Sequence, residues 1–327
     1  MLLPRFVVVT ALMVAMGAGA TLVCAQTPST GSGQAYPNKV IRIFTAGVGG
    51  GSDFIARLIA QGISGPLGQQ VIVENRSGVV PGETVAQAAA DGHTIILAAG
   101  TLWIGPLLRK TTFDPIRDFA PVSLTTRAPN VVVVHPSLPV KTIKELIALA
   151  KSKPGALNYS TGASGASSHL AAELFKSMAN VNMVRIPYKN GATENADLLS
   201  GQVQLTFGAA GAVGPFIKQG RLRGLAVSSS EPSSLFPGLP SITASGVPGY
   251  ESETNYGFLV PARTPEAVIR RLNQETVRFL QIADTKEKFI GSSLEAVGSP
   301  AEVFAAVIKS EMTRMGKLIK DAGIRDD

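Results

Sequence analysis

The chain has 327 residues, with 30 Lys and Arg against 23 Asp and Glu, 3 His and a single Cys. That length exceeds one simple core and suits two domains, and one cysteine excludes a disulfide framework. The positive balance comes with no Lys/Arg run and no basic helix, and aromatics make up only 6%, which argues against nucleic acid and for attraction of small anions.

Residues 1–25 read as a signal peptide. Arg5 precedes an apolar stretch from Phe6 to Val23, and Val23-Cys24-Ala25 precedes Gln26. These are a charged start, a hydrophobic middle and a small-residue cleavage site. Cleavage after Ala25 removes the cysteine and places the mature chain in the periplasm. A single-pass anchor is disfavoured because the apolar run is marginal in length and rich in Gly and Ala. An acylated Cys24 is disfavoured by the bulk of Val23. Residues 26–37, "QTPSTGSGQAYP", form a flexible lead-in.

Strand and helix patterns then alternate. "VIRIF" (40–44) is a strand, and "SDFIARLIAQGI" has apolar residues at helical spacing. "QVIVEN" is a strand, "GETVAQAAA" a helix and "HTIILAA" a strand. This βαβαβ run predicts a parallel sheet with helices on its faces. "PVSLTTRAPNVVVVHP" is long enough to cross from one domain to another. "VKTIKELIALAKSKPG" is a helix with Thr142 as N-cap, Glu145 as its capping-box partner and Pro154-Gly155 as its stop. "LNYST" is a strand, and the next helix buries Leu170, Ala171, Leu174, Phe175 and Met178. "VNMVRIPY", "VQLTFGAA" and "LRGLAVSSS" are further strands, and "ETNYGFLVPARTP" is a candidate returning crossover. Two amphipathic helices begin near Pro265 and Pro300 and close the chain.

Three strand-to-helix loops stand out. "TAGVGGGSD" (45–53) combines glycines, which let backbone N–H groups approach a ligand, with a helix start. It fits an anion site or an ordinary turn capped by Ser52 or Asp53. "NRSGVVPGET" (75–84) is weaker alone. "GASGASSHLAAELF" (162–175) offers Ser164, Ser167 and Ser168 as hydroxyl donors, and Ser167 or Ser168 as helix cap. All three loops offer neutral donors without a catalytic acid, base or metal ligand.

Enzyme and metal readings fare worse. In "GVGGGS" the third glycine of a dinucleotide fingerprint is Ser52. "GASGA" resembles a degenerate nucleophile elbow, but the only His after Ser164 is His169, on the same short turn. His93, His135 and His169 are far apart and lack metal-ligand spacing. His169 is expected to hold its loop in shape by local hydrogen bonding, with ligand contact the lesser reading.

The stretches "YPNKVIRIFTAGVGGGSDFIARLIAQGIS", "GQQVIVENRSG", "DGHTIILAAGT", "DFAPVSLTTRAPNVVVVHPSLPVKTIKELIALAKSKPGALNYSTGASGASSHLAAELFKSMA" and "IPYKNGATENADLLSGQVQLTF" resemble the substrate-binding proteins of tripartite tricarboxylate transporters, the Bug or TctC-like family. The resemblance covers about residues 36–324. It implies an α/β, two-lobed periplasmic binding protein of the type II kind: two Rossmann-like domains joined by two crossover strands, with a cleft between them. Domain 1 would span 38–127 and 253–327, and domain 2 would span 128–252.

The resemblance implies capture of a small organic carboxylate and delivery to the membrane subunits of such a transporter, by a monomer with no cofactor and no chemistry. The alternative is a ligand sensor for a signalling receptor. Ligand-binding positions carried over are Ala46, Gly47, Val48, Gly49, Gly50 and Ser52, then Gly78, Val79 and Val80. Thr101 belongs to the same wall, Trp103 is a candidate for stacking on the ligand, and Ser164, Ser167, Ser168 and His169 come from the second lobe. Three departures mark this chain. The first loop lacks the family's prolines, and the second, Ser77-Gly78-Val79-Val80-Pro81-Gly82, is bulkier. Where many members carry Asp after the strand phenylalanine, Phe207 is followed by Gly208 and Ala209; both are carried over as ligand-binding positions, and their lack of a carboxylate disfavours an amino acid ligand.

Overall fold

The computed structural model describes residues 36–48, 51–76, 78–162, 165–188 and 191–324. The expected signal peptide, its cleavage site, most of the lead-in, and Gly49, Gly50 and Ser164 lie outside the described residues.

The chain starts with β1 (Ile41–Thr45), α1 (Gly51–Leu67), β2 (Val71–Asn75), α2 (Val80–Ala86) and β3 (Thr94–Ala98). Two helical turns follow, α3 (Gly100–Trp103) and α4 (Gly105–Leu108), and then the 16-residue β4 (Phe119–Val134). Next come α5 (Ile143–Ser152), β5 (Asn158–Thr161), α6 (Ser167–Ala179), β6 (Val184–Pro187), α7 (Gly191–Ser200), β7 (Leu205–Ala209), α8 (Ala210–Lys218) and β8 (Arg223–Val227). The chain closes with β9 (Glu253–Pro261), α9 (Glu266–Leu280), α10 (Ala283–Gly291), β10 (Glu295–Ala296) and α11 (Ala301–Ala322).

The strands join in the order β2-β1-β3-β9-β4-β7-β5-β6, with β8 and β10 also paired to β4. β1 is parallel to β2 and β3, as the alternating pattern predicts. β5 is parallel to β6 and β7. β4 serves both halves of this mixed α/β fold. Its residues Phe119 to Pro129 run antiparallel to β9, and Asn130 to Val134 run antiparallel to β7 and β8. The chain returns from β8 to β9 beside the same changeover: Ser228 N–H donates to Asn130 O, and Ser252 N–H donates to Ser228 O.

The run "VVVV" shows why β4 sits at the centre. Val131 and Val133 face one core, with Leu198 and Leu222; Val132 and Val134 face another, with Tyr159 and Phe207. All four are 0% exposed, so β4 is buried on both faces, as its unbroken apolar run requires. α5 forms where expected: Glu145 N–H donates to Thr142 Oγ1 at 3.2 Å, while the Glu145 carboxylate accepts from Lys141 N–H, one residue beyond the expected capping box.

α11 lies against β9 because Gly257 leaves room. A Cβ on Gly257 would stand 2.2 Å from the Phe304 ring and 2.8 Å from Ser123 O. Backbone limits one side, so Gly257→Ala is expected to destabilise the protein by about 1–3 kcal/mol. A lower urea midpoint at unchanged slope would show it; an unchanged midpoint would mean that α11 shifts freely.

Candidate functional site

Two adjoining cavities, of about 490 Å³ and 230 Å³, lie where the loops converge. Ala99, Thr101, Arg109 and Tyr256 line both, so they form one cleft with a shared middle. The smaller part takes Ala46 from the β1–α1 loop, Ser52 from the first turn of α1, and Gly78 and Val79 from the β2–α2 loop. The larger part takes Gly165, Ala166 and Ser167 from the start of α6. The first two loops follow the carboxyl ends of parallel strands in one half of the sheet, and the third does so in the other half. Strand ends of this kind are the usual ligand position in open α/β folds.

Of the residues singled out in the sequence, Ala46, Ser52, Gly78, Val79, Thr101 and Ser167 line this cleft. Gly78 has φ +64°, a left-handed value that glycine adopts without strain. Asn75 holds the first two loops together: its Nδ2 donates to Ala46 O at 2.7 Å and to Asp53 Oδ1 at 2.9 Å. Asp53 is itself paired with Arg57. Gly47, Val48 and Val80 do not line the cavities; Val48 is exposed on its loop and Val80 at the first residue of α2.

The start of α6 differs in detail from expectation. Its N-cap is Ala166, with no side-chain cap, so neither Ser167 nor Ser168 caps it. Ser168 Oγ instead accepts from Gly162 N–H at 3.1 Å, and Ser167 Oγ donates to Asn130 Oδ1 at 3.4 Å. His169 is buried, and its Nδ1 accepts from Gly165 N–H at 3.2 Å. That bond fits the loop-holding role. With Ala166 as N-cap, the first-turn N–H groups of this 13-residue helix have no side-chain cap at the cavity wall.

Trp103 is not where the sequence suggested. It is 0% exposed, stacks edge-on against Phe304, and donates from Nε1 to Glu311 Oε2 at 2.6 Å. It follows Thr101 by two residues on a helical turn, about 200° around the axis, so its side chain faces the core when Thr101 faces the cleft. Gly208 and Ala209 also stand outside the cavities. They pair with Val131 and Asn130 in the sheet, and Ala209 is the N-cap of α8.

The structure adds charged residues that sequence reasoning missed. Arg109 lines both parts of the cleft, and Glu253, Glu311 and Arg314 line the larger part. The expectation of neutral donors alone is therefore corrected: fixed cations face the site. Glu311 accepts from Trp103 and, at 2.6 Å, from Asn255 Nδ2. Burial pushes its carboxyl group above the ordinary range, against the pull of those two bonds and of Arg314. Burial likewise pushes Glu253 up to about 7, opposed by Arg127 and reinforced by Glu251, Glu295 and Glu311. Arg314 Nη1 bonds Glu251 at 3.0 Å. Among the described residues no group of three or more His, Cys, Asp or Glu is placed to hold a metal. No helix among them is long and apolar enough to cross a membrane.

This geometry suits holding a small anion with an apolar body. Backbone N–H groups, hydroxyls and Arg109 meet a negative group, and Ile104, Leu108, Leu170 and Met315 meet carbon. A protein from Pseudomonas sp. (strain P51), described as the UPF0065 protein in the tcbD-tcbE intergenic region, is 33% identical over 87% of each chain. Protein BugT of Bordetella pertussis is 30% identical over 90% of this chain and 92% of its own. The solved structure of R. palustris Rpa4515 with adipate is 33% identical, with a TM-score of 0.74, covering 89% of this chain and 99% of the other. Residues 55–324 match the model of the tripartite tricarboxylate transporter family receptor, and the chain belongs to that family of two-lobed periplasmic solute-binding proteins.

Proposed function

We propose that this protein captures a small organic carboxylate in its cleft and delivers it to the membrane subunits of a tripartite tricarboxylate transporter. The observation that carries the reading is the joined cleft, in which loops from both halves of the sheet and Arg109 converge on one apolar-walled space. The adipate bound to Rpa4515 supports the ligand class. Micromolar capture needs about −8 kcal/mol. A helix end supplies roughly 0.3–2 kcal/mol, so several donors and burial of the ligand must act together. Export, as the leader sequence suggests, puts the protein where such a receptor works.

The hinge of this proposal is the changeover in β4 near Pro129-Asn130, with the return at Ser252-Glu253. A ligand that touches both sides favours a closed arrangement by its differential contacts. Thermal unfolding against a panel of carboxylates, neutral sugars and metal ions tests the reading. A carboxylate at 100 times its Kd stabilises the native state by about 2.7 kcal/mol, so the midpoint is expected to rise with one class of acid. A rise with a sugar or a metal and none with any acid overturns it.

A further inference from the structure

Of the residues that line both parts of the cleft, Thr101, Arg109 and Tyr256 carry hydrogen-bond donors. Thr101 was expected there and Arg109 faces the site as a cation; Tyr256 has no role so far. It lies on β9, where its Cα partner is Thr126 of β4. The ladder is irregular at this point. Leu124 pairs with Gly257 and Thr126 with Tyr256, which leaves Thr125 as an extra residue between them. Thr125 is itself held on two sides: its Oγ1 donates to Tyr256 O at 2.9 Å, and its O accepts from Val297 N–H at 2.9 Å. A bulge of this kind re-aims side chains and recurs next to functional sites.

The surroundings of Tyr256 show where it is aimed. Its ring packs against the core that holds Ile55 and Phe258. Its hydroxyl stands at the start of the 17-residue α1, where a Cβ on Gly51 would lie 3.3 Å from it. No described residue forms a hydrogen bond with that hydroxyl, yet it is not walled in, because Tyr256 opens on both cavities. Thr126 Oγ1, on its sheet partner, is by contrast enclosed without a partner. The hydroxyl therefore adds no bond to the fold. Burial raises its proton affinity above the ordinary phenol value, so it remains a donor throughout the neutral range.

We propose that Tyr256 binds the ligand directly, donating its O–H to a carboxylate oxygen in the shared middle of the cleft, and that the bare Cα of Gly51 gives this hydroxyl its room. The proposal rests on the carboxylate-receptor reading and adds a contact to it. The packed ring holds the donor in place before the ligand arrives, so little freedom is lost on binding. A neutral donor beside Arg109 strengthens the grip on an acid without a second fixed cation.

The experiment is calorimetric titration at pH 7 of the unmodified protein, Y256F, G51A and the double variant. The probe is the acid that raises the unfolding midpoint most in a thermal panel of adipate, malate, citrate and benzoate. Y256F is expected to lose about 10- to 100-fold in affinity, the span of one hydrogen bond to a charged group. Its urea midpoint is expected to stay unchanged, since the hydroxyl has no partner in the fold. G51A is expected to weaken binding several-fold by itself and to add nothing to Y256F, because phenylalanine lacks the atom that the new Cβ crowds. Unchanged affinity in Y256F, a lower urea midpoint in that variant, or equal losses from G51A in both backgrounds overturns the proposal and leaves the carboxylate reading in place. A rise with none of the four acids overturns that reading, and this proposal with it.

Discussion

Replacing Glu311 by leucine is expected to lower the unfolding free energy by about 2–5 kcal/mol, whereas glutamine at the same position is expected to cost less than about 1 kcal/mol. Glu311 is 5% exposed and ties three elements together. Its carboxylate on α11 accepts from Trp103 Nε1 at the end of α3 and from Asn255 Nδ2 on β9. Leucine fills much of the volume but leaves two buried donors without an acceptor. Each such donor costs about 1–3 kcal/mol, and removing a buried carboxylate returns part of that. Glutamine behaves differently. Its carbonyl can still accept from Trp103, and its amide can donate to the Asn255 oxygen once the Asn255 amide turns over, so both neighbours keep a bond to residue 311. Urea unfolding of the two variants makes the comparison. Leucine matching wild type would mean that the Trp103–Glu311–Asn255 chain is not what fixes α11 over the cavity.

Glu311 also shows what the sequence held and what it hid. The buried stripe of α11 runs Phe304, Ile308, Glu311, Met315 and Leu318, at helical spacing. A carboxylate in an apolar stripe is a visible signal of a partnered buried group, and reading α11 only as amphipathic passed over it. Glu253 gave no such signal. It alternates with Thr254, Tyr256 and Phe258 along β9, a pattern that places Glu253, Asn255 and Gly257 on one face. Periodicity assigns residues to faces but does not say what covers them, and here α11 covers the polar one. The strand-loop-helix framework was legible because β-branched runs alternate with helical spacing between Gly and Pro punctuation. The turns α3 and α4 were not, since "GTLWIGPLL" is too short and too rich in Gly and Pro to show a period. Arg109 follows that segment and reaches the cleft only through its tertiary position, which no local pattern encodes.

Glu253→Gln is expected to leave stability unchanged near pH 4 and to raise it on the order of 3 kcal/mol at pH 8. The sign follows from where the proton sits. In the unfolded chain the carboxyl titrates near its ordinary value of 4.5, and in the folded protein burial moves it up to about 7. Below 4.5 both states hold the proton and the residue is neutral in each. Between 4.5 and 7 the folded state holds more protons than the unfolded one, so stability falls as pH rises. Above 7 both states are ionised and the full loss remains. Glutamine never ionises, so the variant escapes that loss. Glu311 shifts in the same direction and is present in both proteins, so its own burial does not distinguish the two stability curves. Arg127 keeps its pairing with Glu295 in the variant, which limits the disturbance next door. Unfolding midpoints at pH 4, 6 and 8 measure the difference. A gap that opens only above pH 4 identifies Glu253 as a buried acid kept at a cost to stability. A gap of the same size at every pH would mean that the effect is packing, and Glu253 would then be an ordinary strand residue.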